Sequence, residues 1–376
     1  MLWDNIVGQT ELIDQLKATI KDGRISHAQL FIAPEGVGAL PLAIAYAQHI
    51  LCPDSTASCT QKVVHLQHPD LHFSYPYNKV SASDGQHPVA TKYIGLWRNF
   101  VLENPYGNYS DWMKFLGIEK KQGIINVHEA NDIIKRLTLN SYEGGYKVMI
   151  IWHADLMNED AANKLLKVIE EPPQRTIFIL IAEKQDAILP TILSRCQVVN
   201  IPHLTDAAVE KYLVEQENIP RELAKQFAFM AQGNLRVAKQ LATEDHSLYD
   251  TYFVSMVRLA FLAKKKLSAL REIILWANEI SLWSRDEQKN FLIHSSEIYR
   301  QALLKNYQAD EISYLQVKSD SFKWAGFFPY INSRNIEDIL TELNEAAYHI
   351  ERNGNAKIIF FDMAVKLTRF IHRVER

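Results

Sequence analysis

Three short runs, residues 28–33, 147–152 and 176–181, limit what this chain can fold into: each is aliphatic, partly β-branched and apolar on both faces. Such strands belong inside a parallel sheet covered by helices on both sides, because only there do both rows of side chains leave water. Between them the pattern turns helical. Residues 42–51 read as one helix, and residues 158–171 read as another that must stop at Pro172 and Pro173, where the ring removes an N–H donor and clashes with the turn before it. Residues 197–201 read as a last strand. Strands alternating with helices define a doubly wound α/β domain reaching to about residue 202.

One stretch interrupts that alternation. Residues 71–123 are turn-rich and carry Tyr75, Tyr77, Tyr93, Trp97, Phe100, Tyr106, Tyr109 and Trp112. They read as an insertion in the α/β domain, serving either as aromatic core or as a docking surface. Beyond Pro202 the pattern is helical only. Thr205 is a suitable N-cap for a helix to about residue 216, and residues 221–242 supply one or two more. Leu267, Leu270, Ile274 and Ala277 recur at helical spacing, as do Ile336, Leu340, Leu343, Ala347 and Ile350, and then Ile359, Met363, Leu367, Phe370 and Ile371. The expected fold class is therefore α/β plus all-α. The domains fall at 1–202, with the insertion at 71–123, then 203–243 and 244–376, which suits a length of 376 residues.

Composition excludes several functions. With 41 basic against 44 acidic side chains and a formal charge of −3, the chain lacks the basic excess of a free-standing nucleic-acid binder. Contact with DNA over one face, inside an assembly, stays open. Cys52, Cys59 and Cys196 are the three cysteines, too few for a secreted disulfide framework, so free thiols in a reducing, cytoplasmic compartment are expected. The start has no basic and apolar leader, and no run approaches the ~20 apolar residues of a membrane helix.

The strand-turn-helix at 28–51 is the setting of a phosphate-binding loop, G-x-x-x-x-G-K-[ST], whose lysine meets the terminal phosphates and whose hydroxyl holds magnesium. The eight positions here run from Ala33 through Gly36 and Gly38 to Ala39 and Leu40. Ala39 stands at the lysine position and Leu40 at the hydroxyl. A charge-assisted hydrogen bond contributes about 1.5–3 kcal/mol, and this loop has lost its cation together with its metal ligand. The second nucleotide motif fails as well. The strand 147–152 should lead into an acidic pair for magnesium and the attacking water, but Trp152 and His153 stand there, and Asp155 comes about a turn too late.

Taken together, several motifs resemble bacterial clamp-loader subunits of the AAA+ class. They are Gly8-Gln9, Arg24 to Ala28, the altered loop from Pro34 to Gly38, Ala161 to Lys167, Glu170 to Pro173, and Ser194-Arg195-Cys196. The lost nucleotide motifs bring the match nearest to the delta-prime branch of DNA polymerase III. The resemblance covers residues 1–202 by motif and the rest by length and type. It implies a degenerate AAA+ module, meaning a parallel α/β P-loop-type domain with a small helical lid, followed by a helical collar. It also implies that Arg195 acts in trans as an arginine finger on ATP held by a neighbour, with Ser194 and Cys196 holding its turn. Arg236, in Gly233-Asn234-Leu235-Arg236, matches the lid's sensor arginine and would face the vestigial site, which the resemblance leaves without a functional nucleotide.

The partners implied are the delta subunit, the gamma/tau ATPase subunits, the sliding clamp and primer-template DNA. No cofactor is expected. Related subunits bind zinc through four cysteines, but counting on from Cys59 the pattern gives Lys62 and His65. Cys52 and Cys59 with His65 or His68 fall short of that cluster, so no metal is expected. The rival from the enzyme class is an ATP-hydrolysing gamma/tau-like motor subunit, which requires the missing lysine and acidic pair.

Overall fold

The computed structural model describes residues 3–373 except 55, 120, 244–246, 265, 267, 310–316 and 318–321. They form two compact units, divided after Thr243. In the first, the strands are β1 (Ala28–Ile32), β2 (Leu71–Ser74), β3 (Lys147–Trp152), β4 (Thr176–Ala182) and β5 (Gln197–Asn200). They form one five-stranded sheet in the order β2-β3-β4-β1-β5, and every pairing in it is parallel. The helices of this unit are α1 (Thr10–Lys21), α2 (Ala39–Leu51), α3 (Ala57–Val64), α4 (Ile94–Glu103), α5 (Tyr109–Phe115), α6 (Val127–Thr138), α7 (Glu159–Glu170) and α8 (Pro190–Leu193), then α9 (Asp206–Glu215), α10 (Arg221–Ala231) and α11 (Leu235–Thr243).

The expected strands are in place, and β1, β3 and β4 are buried on both faces, while β5 is a largely exposed edge strand. Phe31, Ile150, Ile179 and Ile181 join one core with α2, while Leu30, Met149, Ile151, Phe178 and Leu180 join another that includes residues of α6 and α7. Helix α7 ends before Pro172 as its sequence requires, and Thr205 caps α9 by accepting from the Ala208 amide at 3.2 Å.

The stretch 71–123 departs from its reading as an insertion at its very start, since residues 71–74 are the edge strand β2 of the main sheet. Its aromatic residues are largely core. Trp97 and Trp112 are fully buried, Tyr75 stacks on Trp97 with centroids 4.1 Å apart, and Trp97 lies 5.0 Å from Trp152 at the end of β3. Stacked and edge-on pairs of this kind add about 0.5–1.5 kcal/mol beyond the area they bury.

The second unit contains α12 (Ser247–Ala263), α13 (Ala269–Ser281), α14 (Arg285–Asn306), α15 (Trp324–Phe327), α16 (Ile336–Glu351) and α17 (Ala356–Ile371), packed around a core of its own. In α13 the buried face is Ile273, Trp276, Ala277 and Ile280, and Ile274 is 39% exposed. The expected stripe therefore sits one residue off; Trp276 takes the inward position, and Leu267 lies outside the described residues. Asn355 caps α17 through the Ile358 amide. No described helix is long and apolar enough to cross a membrane.

Candidate functional site

The loop between β1 and α2 has two glycines in the left-handed backbone region, and side chains of the same chain pack against both. Gly36 and Gly38 take positive φ angles of 70° and 89°, which glycine adopts without strain. A Cβ on Gly36 would lie 1.8 Å from Asn234 Oδ1, and one on Gly38 would lie 2.5 Å from the Tyr106 ring. The glycines thus allow an asparagine and a tyrosine of the same chain to approach the loop closely. Asn234 caps α11 by accepting from the Val237 amide, and the Leu235 amide donates to the Gly36 carbonyl at 3.0 Å. Tyr106 is fixed from behind, its hydroxyl accepting from the Val7 amide at 2.9 Å, and burial pushes its pKa up to about 12.

What remains of the pocket is about 40 Å³, lined in part by Ala33, Gly36, Ala39, Leu40, Trp152 and Glu183. Ligand pockets usually measure ~300–1,000 Å³, so as these side chains stand the space suits water rather than a nucleotide. Ala39 and Leu40 are buried core residues of α2, and Trp152 is 4% exposed against the aromatic cluster.

A relay of polar side chains ties this loop to the helices after β5. Asn108 Nδ2 donates to Glu35 Oε2 at 2.9 Å. Asn108 also caps α5, where its side chain and that of Asp111 satisfy each other's backbone amides. Asp111 in turn accepts from both Nε and Nη2 of Arg236, the latter at 2.8 Å. Burial alone would raise the Asp111 pKa, but the Arg236 hydrogen bond, the Asn108 amide and the neighbouring positive charges outweigh it and hold the carboxyl below its ordinary value. Arg236 is thus engaged by a carboxylate of its own chain. Sequence reasoning missed Asp111, although the Asn-x-x-Asp capping pattern that fixes it was visible.

The end of β3 carries a second cluster. His153, at φ 52°, lies 3.7 Å from both Asp155 and Glu183 carboxylates. Burial raises the Glu183 pKa; the charge of His153 opposes this, while Glu35 and Asp155 add to it. Asp155 therefore sits within ion-pair range of a histidine, in the region where a nucleotide enzyme would place its metal carboxylates.

Arg195 lies at the other end of the motif series, just after α8. Its Nε donates to Glu170 Oε2 at 3.0 Å, and its Nη1 donates to the Thr191 carbonyl at 2.9 Å and to Ser194 Oγ at 3.4 Å. Its side chain is 33% exposed. Ser194 Oγ also donates to the Thr191 carbonyl. Cys196 packs against the second core, and burial pushes its thiol up to about 11, so it stays protonated and unreactive at neutral pH.

The expectation of free thiols at the other two cysteines is corrected. Cys52 and Cys59 form a disulfide, because the short loop from α2 to α3 brings their Cα atoms within 5.8 Å. His68 is the third member of the group, its ligand atom within 4.8 Å of both sulfurs, whereas His65 is exposed and not part of it. The residues do not fit a tetrahedral zinc site. Both sulfurs are bonded to each other, His68 Nδ1 accepts from the Asp70 amide, and its Nε2 lies 3.2 Å from Glu143. Among the described residues no other such group occurs.

A family model described as DNA polymerase III, delta subunit, matches residues 8–205. The DNA polymerase III subunit delta' of Bacillus subtilis is 30% identical over 243 residues, covering 63% of this chain and 60% of that protein. The Escherichia coli subunit delta' is 27% identical over 201 residues, 54% of this chain and 48% of that protein. The Bacillus subtilis subunit tau is 24% identical over 393 positions, covering 99% of this chain and 62% of that protein. The chain thus spans less than two thirds of the length of each of these relatives.

Proposed function

This chain belongs to the family of DNA polymerase III delta subunits, and from that premise we propose that it is a delta-prime-like, non-hydrolysing accessory subunit of the clamp loader. In this scheme residues 1–202 are a degenerate AAA+ domain, 203–243 its lid and 244–376 a collar that joins the delta subunit and a gamma/tau ATPase subunit. The chain lends Arg195 to ATP held by that neighbour. ATP binding there tightens the assembly around an opened sliding clamp and primer-template DNA, and hydrolysis releases the clamp.

The observation that carries this is a contrast within the first unit. The chain's own loop carries Ala39 and Leu40 in place of a lysine and a hydroxyl, with Asn234 and Tyr106 packed against its glycines, while Arg195 stands partly exposed with its Nη2 in no hydrogen bond among the described residues. Arginine suits the role because its guanidinium is always charged and meets phosphate oxygens with two donors at once. Placed against the charge that develops on a transferring phosphoryl group, such a finger raises the rate by ~10³–10⁵.

The test is ATP turnover by the reconstituted loader carrying Arg195→Ala. Assembly is expected to survive, and DNA-stimulated turnover is expected to fall by about 10³-fold, with clamp loading falling alongside it. Full turnover by an intact complex would refute the assignment.

A further inference from the structure

We infer that Glu170 is a positioning residue for Arg195, presenting the guanidinium in a fixed orientation before a neighbour's phosphate arrives. This rests on the role given to Arg195 above. A guanidinium offers five N–H donors in a rigid plane. The protein uses three of them. Nε is bound to Glu170 Oε2 at 3.0 Å and Nη1 to the Thr191 carbonyl at 2.9 Å and to Ser194 Oγ at 3.4 Å, whereas Nη2 makes no hydrogen bond among the described residues. Glu170 and Thr191 come from separate elements, the last residue of α7 and the body of α8, so together they fix both the position of the plane and its rotation. With Nε and Nη1 held in this way, the two Nη2 donors stay free to meet phosphate oxygens as charge-assisted hydrogen bonds.

The placement of Glu170 follows from the chain. The prolines at 172 and 173 end α7 just beyond it, which puts its side chain at the helix mouth rather than along a packed face. The carboxylate is 54% exposed, so its effect is one of orientation rather than of stability, and exposed pairs of this kind couple only weakly. Ordering the arginine in advance spares the entropy that a free side chain would lose on meeting phosphate. The carboxylate also subtracts from the positive charge offered to the neighbour. A group that merely parked the arginine would have the opposite kinetic signature, because its removal would speed turnover.

The experiment uses the complete loader with four forms of this chain: Glu170→Ala, Glu170→Gln, Arg195→Ala, and the double variant Arg195→Ala with Glu170→Ala. Glu170→Ala is expected to lower kcat/KM for ATP by about two- to five-fold, the range of an exposed pair. Glu170→Gln, whose amide oxygen still accepts from Nε, recovers most of that loss. In the Arg195→Ala background, Glu170→Ala has no further effect, and the thermal midpoint of the chain is unchanged throughout. Unchanged or faster turnover with Glu170→Ala overturns the inference, as does an equal loss in the Arg195→Ala background. If Arg195→Ala itself keeps full turnover, the parent assignment fails; if Arg195→Ala is slow and Glu170→Ala is not, only the positioning role fails.

Discussion

The loop after β1 and the turn after α8 differ in how the chain engages their side chains. At the loop, the lysine and the hydroxyl that would have met a phosphate are absent. Ala39 and Leu40 are core, Gly36 and Gly38 are covered by Asn234 and Tyr106, and Arg236 is bound to Asp111. At the turn, Ser194, Thr191 and Glu170 hold an arginine and leave part of it unused. A cavity with nothing to bind leaves buried polar groups unsatisfied and costs stability, so neighbouring side chains fill it and make it part of the fold. An arginine aimed at another protein must stay out of such packing.

Breaking the filled side should unfold the molecule locally, and the largest effect is expected at Gly36. Gly36→Ala puts a methyl group 1.8 Å from Asn234 Oδ1 at a φ of +70°, and a loss of about 2–4 kcal/mol in chemical denaturation is expected from the overlap and the backbone strain together. Asp111→Ala comes next. It leaves Arg236 and the Asn108 amide without the carboxylate that accepts from them, for a loss of about 1–2 kcal/mol, since the pair is partly exposed. A double-mutant cycle with Arg236→Ala should recover a coupling energy, and additive losses would show that the relay from Glu35 to Arg236 is not a unit.

The acid side of the stability profile tests the same pair. The Asp111 pKa is depressed on folding, so its contribution is present above the unfolded carboxylate value of about 4 and is lost as pH falls through the folded value. The Asp111→Asn variant should flatten that acid limb. Glu183 has the opposite sign. Its folded pKa is raised, chiefly by burial, so the folded state favours the protonated form and loses stability as pH rises from about 4 through the folded value. Glu183→Gln should therefore stabilise the chain at neutral pH, with the gain vanishing in acid; a destabilised variant would mean the carboxylate is held by contacts that outweigh its burial.

Much of the fold was legible because burial leaves a pattern. Strands β1, β3 and β4 are apolar on both faces, and the breaks at Pro172 and Pro202 fall where the elements end. Strand β2 was missed because it is a four-residue edge strand with His72 and Ser74 among its side chains, and it looks like a turn-rich loop. The lost lysine and acidic pair were visible as substitutions at fixed spacing. What filled their places was not, since Asp111 and Arg236 are 125 residues apart and no local period joins them. The Cys52–Cys59 bond depends on how the short loop after α2 turns, which spacing alone does not decide. The grip of Glu170 on Arg195 likewise needs both helix ends in space.

The smallest expected effect is a null one. Restoring the motif with Ala39→Lys and Leu40→Thr should give no nucleotide binding, because Tyr106 and Trp152 still line a space of only about 40 Å³ beside the loop. The central claim is that the loop has been taken over by the fold, and titration of magnesium-ATP into the unmodified chain, followed by calorimetry, tests it most directly. No saturable heat is expected at millimolar ATP. Stoichiometric binding in the micromolar range would contradict the account, because it would require Asn234 and Tyr106 to leave positions on which the packing of the first unit depends.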